Sequence, residues 1–323
     1  MKLPRRKFLH LATGAAALPA LSRGAWSQTY PARPVRIIVG LPPATAADII
    51  ARLVGQWLTD RLGQQFVIEN RPGAGSNIGT EVVVRAVPDG YTLLLAVTAN
   101  TVNATLYEKL SFNFIRDIEP VASIVATTYV MVVNPSVPAK TVTEFIAYAR
   151  ANPGKINMAS TGSGSGTHVF GELFKMMAGV NMVHVPYRAN FYPDLLGGQV
   201  QTAFVTTVSS IAYIRAGKLR ALAVTTAARS AALPDIPTLG EFVPGYEASG
   251  WEGIGAPKKT PVEVIDKINK EINLALADPK MQARFAELGV EPMPMTPAAF
   301  GRFIADETEK WGKVIRTANI KAG

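Results

Sequence analysis

From Val35 onward, short apolar and β-branched runs alternate with longer stretches in which apolar residues recur at helical spacing. Such alternation is the pattern of βαβ units with largely parallel strands. Val35 to Val39 reads as a buried strand, Leu41 to Ala47 as a Pro-rich loop, and Asp48 as the N-cap of a helix ending at Gly63. On that helix Ile49, Leu53 and Trp57 form one row and Ile50, Val54, Leu58 and Leu62 the next, giving one wide apolar face. Phe66 to Ile68 and Tyr91 to Val97 are further strands, separated by Arg71 to Gly79 and a helical stretch to Ala86.

Two apolar runs follow closely from Val121 to Val133 and end at Asn134-Pro135, as expected where a chain passes from one domain to the next. Thr141-Val142-Thr143-Glu144 is a capping box, and Ile156 to Ala159 is a strand leading into Ser160-Thr161-Gly162-Ser163-Gly164-Ser165-Gly166-Thr167-His168. Met182 to Val185, Gln201 to Val205 and Leu219 to Val224 are strands, with a short helix from Ile211 to Gly217. After Trp251 to Gly255 come three amphipathic helices, near 261–277, 279–288 and 297–317, each with Pro at its first turn, where the missing amide costs least. Their length suggests that they pack back on the first sheet. The expected organisation is therefore a discontinuous first domain (28–130 and 251–323), a second domain (131–250), and a double hinge crossing between them.

The N-terminus changes the charge picture. Pro4-Arg5-Arg6-Lys7-Phe8-Leu9, an Ala/Leu-rich run and Ala25-Trp26-Ser27 read as a twin-arginine secretion signal, residues 1–27, cleaved near Ser27. Its run is too short and too rich in Ala and Gly to span a bilayer. Its removal takes five basic residues and no acid, so a net charge of +9 becomes +4. The remaining Lys and Arg are scattered, which argues against nucleic acid, while a mild positive field steers small anions. The chain has no cysteine, compatible with an oxidising periplasm, and outside the leader its histidines are His168 and His184. No metal-ligating spacing, and hence no metal, is expected.

Candidate chemistry sits in loops that follow strands and precede helices: Leu41 to Asp48, Arg71 to Gly79, Thr98 to Asn103 and Ser160 to His168. In open α/β sheets such loops share the carboxyl edge, where ligands bind. They carry backbone amides and neutral donors, Thr45, Ser76, Asn77, Thr98, Asn100, Thr101, Ser160, Thr161, Ser163 and Ser165, which suit a carboxylate without burying a counter-charge. His168, at a helix start, either helps hold the anion as a neutral donor or packs on the Gly loop and fixes its shape; His184, between two valines, reads as structural. The Ser/Gly loop lacks the Lys-Ser/Thr pair of a nucleotide P-loop, no full dinucleotide fingerprint or nucleophile elbow is present, and Asp48, Glu69, Asp89 and Asp194 are apart in sequence with cap, strand-end or turn explanations, so no glycosidase-type pair is claimed. Binding is favoured over catalysis, and no cofactor is expected.

Pro31-Ala32-Arg33-Pro34-Val35-Arg36-Ile37-Ile38-Val39, Pro42-Pro43 with Asp48, Glu69 to Gly75, Pro88-Asp89-Gly90-Tyr91-Thr92, the Gly/Ser-His loop, Val185 to Arg188, Leu195 to Val200 and Ala216 to Ala223 occur in order along the chain. In these motifs it resembles the periplasmic substrate-binding proteins of tripartite tricarboxylate transporters, the Bug-type receptors. The resemblance implies a two-domain α/β clamshell, each domain a mostly parallel sheet flanked by helices, that holds a small organic carboxylate in the interdomain cleft and delivers it to a membrane permease. It implies a monomeric periplasmic receptor, not an enzyme. It places ligand contacts at the loop spanning Pro43 to Ala47 (Ala44, Thr45, Ala46, Ala47), at Thr98 and Asn100, at Ser160, Thr161, Ser163, Gly164, Ser165 and His168, and at Tyr187 and Thr206. Three departures bear on the ligand. Ala44-Thr45 replaces a usual Gly-Gly; the loop after Tyr187-Arg188 is two residues shorter and carries Phe191-Tyr192; and Val205-Thr206-Thr207 stands where an Asp is common. Loss of that Asp points away from amino acids and toward a mono- or dicarboxylate. Phe191 and Tyr192 either stack on an aromatic ligand or plug the shortened loop. A ligand-presenting partner of a membrane sensor kinase and an exported enzyme are the alternative functions.

Overall fold

The computed structural model describes residues 30–43, 45–187 and 190–322; the segment read as a secretion signal, Ala44 and Arg188 lie outside the described residues. The strands are β1 (Val35–Val39), β2 (Phe66–Asn70), β3 (Thr92–Val97), β4 (Ile118–Thr127), β5 (Tyr129–Val133), β6 (Asn157–Ser160), β7 (Val183–Pro186), β8 (Thr202–Thr206), β9 (Arg220–Val224), β10 (Gly250–Pro257) and β11 (Val290–Pro292). The helices are α1 (Ala46–Leu62), α2 (Asn77–Val84), α3 (Thr98–Leu106), α4 (Phe114–Asp117), α5 (Val142–Ala151), α6 (Gly166–Ala178), α7 (Tyr192–Leu196), α8 (Thr207–Arg215), α9 (Val262–Ala277), α10 (Pro279–Glu287) and α11 (Pro297–Thr317).

Two mixed sheets result. The first has the order β11-β4-β10-β3-β1-β2 and the second β7-β6-β8-β5-β9. β1, β2 and β3 are parallel, while β10 runs against both β3 and β4. In the second sheet β6, β7 and β8 are parallel and β5 runs against β8 and β9. The sheets are thus less parallel than the sequence pattern suggests, and the reason is the crossing. β4 leaves the first sheet at the edge where β1 and β3 also end, and only Thr128 separates it from β5. β5 therefore enters the second sheet at its carboxyl edge and must run antiparallel to β8. The return leg, β10, enters the first sheet the same way. Because both legs join carboxyl edge to carboxyl edge, those two edges face each other.

Apolar side chains cover both faces of each sheet, so each lobe is a helix-sheet-helix sandwich. Ile50, Val54 and Leu58 of α1 and Ile265, Ile268 and Ile272 of α9 seal one face of the first sheet; Phe300 and Ile304 of α11 help seal the other. Full burial of each such aliphatic chain contributes about 1.5–3 kcal/mol. The C-terminal helices do pack on the first sheet, but α11 continues into the second lobe, where Trp311, Val314 and Ile315 join its core and Trp311 stacks on Phe170, ring centroids 5.1 Å apart. α3 reaches across as well, through Val102 and Leu106.

Two starts differ from the sequence reading. α1 begins earlier than an Asp48 cap implies, because the Asp48 amide donates to Thr45 Oγ1 at 3.3 Å and Thr45 is the N-cap. α8 begins at Thr207 rather than Ile211, because Thr206 caps it through the Ser209 amide.

Candidate functional site

Four helices start where a strand ends on the facing edges: α1 after β1, α3 after β3, α6 after β6 and α8 after β8. Each presents first-turn amides that have no partner within the helix. In α1 the first intrahelical bond, Ile49 N to Thr45 O, lies beyond the amides of Ala46 and Ala47. In α6 the corresponding bonds, from His168 N and Val169 N to Ser165 O, leave those of Gly166 and Thr167. The helix dipoles add positive potential at the same places.

The Ser160 to His168 turn is cross-laced. Gly162 and Gly164 take φ of +119° and +79°, which only glycine adopts without strain. The Thr167 hydroxyl is the hub: it accepts the Thr161 amide at 2.8 Å and lies 3.0 Å from Thr161 Oγ1 and 2.8 Å from Ser165 Oγ. Ser165 Oγ also donates to Gly162 O at 2.7 Å. Ser160 is fully buried and turns from the loop surface to His184 Nε2, 2.6 Å away. His168 Nδ1 accepts the Gly164 amide at 3.1 Å, and its ring stacks on His184 with centroids 3.5 Å apart. Its other nitrogen lies 3.6 Å from Glu172 Oε1. Burial works against the Glu172 carboxylate, but His168 and Lys175 hold its pKa below the usual value. Burial, and then the neighbouring His168, lower His184 to about 4, so it is a neutral brace. His168 thus fixes the loop's shape. Thr161 and Ser163 remain exposed at its surface.

Other candidates are also committed to the fold. Asn100 is buried, with Oδ1 accepting the Val97 amide at 2.8 Å and Nδ2 donating to Thr80 Oγ1 at 2.8 Å. Thr98 Oγ1 accepts the Trp251 amide at 2.8 Å, tying the start of α3 to the return leg. Tyr187 donates to Asp194 Oδ2 at 2.7 Å, a bond that pushes its phenol up to about 12. Phe191 is buried and stacks on Tyr192, which stacks on Tyr213, so these rings plug their loop. Ser76 packs beneath Gly40, and Asn77 Oδ1 accepts from Asn103; the Arg71 to Gly79 loop is folded into its own lobe.

Tyr129, absent from the sequence-derived set, stands at the centre of the crossing. It pairs in register with Thr206, and its hydroxyl lies against Gly166 at the start of α6. Its ring packs edge-on against Phe170, 4.7 Å between centroids. Glu252 of β10 faces it, in register with Val97 and Val125, and Glu252 Oε2 lies 3.4 Å from Thr127 Oγ1. The isolated acid in Trp251-Glu252-Gly253-Ile254-Gly255 was the visible signal for this position. Among the described residues no group of three or more His, Asp or Glu is placed to hold a metal ion, and no helix is long and apolar enough to cross a membrane.

Two α/β lobes joined by crossing strands, with helix N-termini gathered between facing carboxyl edges, define a solute-binding protein of the periplasmic-binding-protein kind. The model of the tripartite tricarboxylate transporter family receptor matches residues 50–320, and the chain belongs to that family. It is 35% identical over 318 residues to protein BugT of Bordetella pertussis, covering 97% of this chain and 96% of that protein. An R. palustris protein solved with adipate superposes with TM-score 0.79 at 33% identity, covering 91% of this chain and 100% of that one. MatC from Rhodopseudomonas palustris, with bound malate, superposes with TM-score 0.74 at 28% identity, covering 88% and 100%. The family resemblance read from the ordered motifs is therefore correct.

Proposed function

We propose that this protein captures a small organic carboxylate, a mono- or dicarboxylate, between its two lobes and presents it to the membrane permease of a tripartite tricarboxylate-type transporter. The observation that carries this reading is the crossing topology, which turns two sets of helix N-termini toward one space. The amides of Ala46 and Ala47 with Thr45 form one jaw, and Thr161, Ser163, Ser165 and the first amides of α6 form the other, with Thr98 and Thr206 beside the hinge. Charge-assisted hydrogen bonds from such donors contribute about 1.5–3 kcal/mol each. The adipate and malate complexes of relatives support the ligand class, and the buried Phe191 argues against an aromatic-stacking pocket. The hinge lies at Thr128 and in the segment before Gly250, and the N-terminal segment directs export to the periplasm.

The test is a thermal-shift and calorimetric screen of C2 to C8 mono- and dicarboxylates that includes adipate and malate. One-site binding is expected, with stabilisation of RT ln(1 + [L]/Kd). Thr45→Tyr and Ser165→Leu, each of which crowds one jaw, should weaken binding at least tenfold while the variants remain folded. Absence of any shift at millimolar acid, or normal binding by both variants, refutes the assignment.

A further inference from the structure

We propose that Glu252 is the proton-carrying floor of this cleft: the protein takes up its organic anion together with one proton, held on Glu252, which faces the ligand as a neutral hydrogen-bond donor. The inference rests on the carboxylate reading above and adds to it a coupled proton.

Glu252 occupies the return strand where it passes the end of β3. Its register partner Val97 is followed directly by Thr98, whose hydroxyl accepts the amide of Trp251. On its other side β10 pairs with β4, and the nearest polar group is Thr127 Oγ1 at the long distance of 3.4 Å. Across the crossing stands Tyr129, whose hydroxyl abuts Gly166 at the head of α6. Glu252 therefore lies between the helix starts of both lobes, near the cleft end of the stretch over which the two crossing legs pair. Gly250, two residues before it on β10, packs on Thr127 and Tyr129.

The charge environment decides its protonation. The elements packed against it offer Val97 and Thr98 from β3 and α3, Val125 and Thr127 from β4, and Tyr129 from β5. Of these the titratable group is Tyr129, whose phenol is raised first by its own burial and then by the Glu252 charge. Among the described residues, no Lys, Arg or His makes an ion pair with Glu252; its shift is set by burial, opposed only by the Thr127 bond. Burial thus pushes the carboxyl up to about 7, although the residue as a whole is only partly buried. An incoming carboxylate strengthens the effect, because two carboxylates sharing one enclosed site do not both ionise. The ligand's oxygen then accepts a hydrogen bond from the Glu252 O–H. Above the free protein's pKa, binding must take a proton from solvent, and affinity falls about tenfold per pH unit.

Calorimetry with adipate and with malate, between pH 6.5 and 9 and in buffers of different ionisation enthalpy, reads this directly. Both acids are fully ionised over most of that range. The expected result is uptake approaching one proton per ligand at pH 8 to 9 and a steady loss of affinity across the range. Glu252→Gln keeps a neutral donor of the same shape; it should bind with no such proton uptake, lose the pH dependence and bind more tightly than the parent at pH 9. If either acid binds but affinity is flat in pH, or rises with pH, or the pH dependence persists in the Gln variant, the proton-coupled floor is wrong while the carboxylate receptor stands. If neither acid nor any member of the C2 to C8 panel binds at pH 6.5, the receptor reading fails and this inference fails with it.

Discussion

Gly164→Ala tests whether the Gly/Ser loop is seated against the opposite lobe as the structure shows. Gly164 has φ of +79°, and a Cβ there would lie 2.2 Å from Leu106 Cδ2, on α3 of the first lobe. Two costs follow. A non-glycine residue at positive φ costs about 1 kcal/mol or somewhat more. Relief of the contact requires the buried Leu106 side chain to leave its rotamer, about 0.5–1.5 kcal/mol. The sum is about 2 kcal/mol, or roughly thirtyfold in the folding equilibrium. Urea denaturation of the ligand-free protein measures it as a lowered midpoint with unchanged slope. The two costs separate in a double-mutant cycle. Leu106→Ala is destabilising by about 2–5 kcal/mol through its own cavity. It also removes the atom that clashes, so Gly164→Ala should cost about 1 kcal/mol less in the Leu106→Ala background than in the parent. Additivity within about 0.5 kcal/mol would show that the loop and α3 are not in contact. An unperturbed Gly164→Ala single variant would refute the loop geometry altogether.

Further expectations follow from the same structure. Asn100→Ala should cost about 1–3 kcal/mol in chemical denaturation, because it orphans the buried Val97 amide and takes a donor from the Thr80 hydroxyl, which keeps its own bond to Ser76 O; unchanged stability with lost ligand affinity would instead make Asn100 a ligand contact. Trp311→Ala should cost about 3–5 kcal/mol, since its ring fills the second lobe and its Nε1 donates to Glu307 at 2.7 Å, and Trp311→Phe should recover most of the packing; equal losses would assign the effect to the hydrogen bond. The pH dependence of stability has two opposed parts. His184, lowered from 6.5 to about 4, stabilises above pH 6.5, and that contribution is lost as pH falls toward 4. Glu252, raised from 4.5 to about 7, stabilises below pH 4.5, and that contribution is lost as pH rises through 7. The two offset one another between about pH 4.5 and 6.5. Glu252→Gln should leave a stability that rises with pH over this window and His184→Asn one that falls with it; parallel profiles for the two variants would contradict both assignments.

Much of the fold is legible in the chain because its determinants are local. The apolar row of α1, the strand Val35–Val39, the Pro-started helices α10 and α11 and the Gly-rich turn before α6 are written in neighbouring residues, and they form where their periodicity places them. The ordered motifs carry the family. Helix starts were less legible, since Thr45 and Asp48 are both competent caps and only backbone geometry selects between them. Strand direction was legible for the βαβ strands, which are parallel as the alternation implies, but not for the crossing legs. β5 and β10 read like any other apolar run, and they run against their neighbours because the chain must join two carboxyl edges.

The candidate site divides along the same line. The Gly/Ser turn at the head of α6 and the Thr45 to Ala47 amides at the head of α1 follow from sequence, because helix starts and their free donors are local features. Which polar side chains are spent on the fold was decided by tertiary contacts: Ser160 on His184, Asn100 on Thr80 and the Val97 amide, Tyr187 on Asp194. The group that stands out at the floor, Glu252, gains its character only there. A single acid between Trp251 and Gly253 has no partner within its own segment to shift it. It becomes a proton carrier through burial beside Val97, Thr127 and Tyr129, brought together from strands distant in the chain.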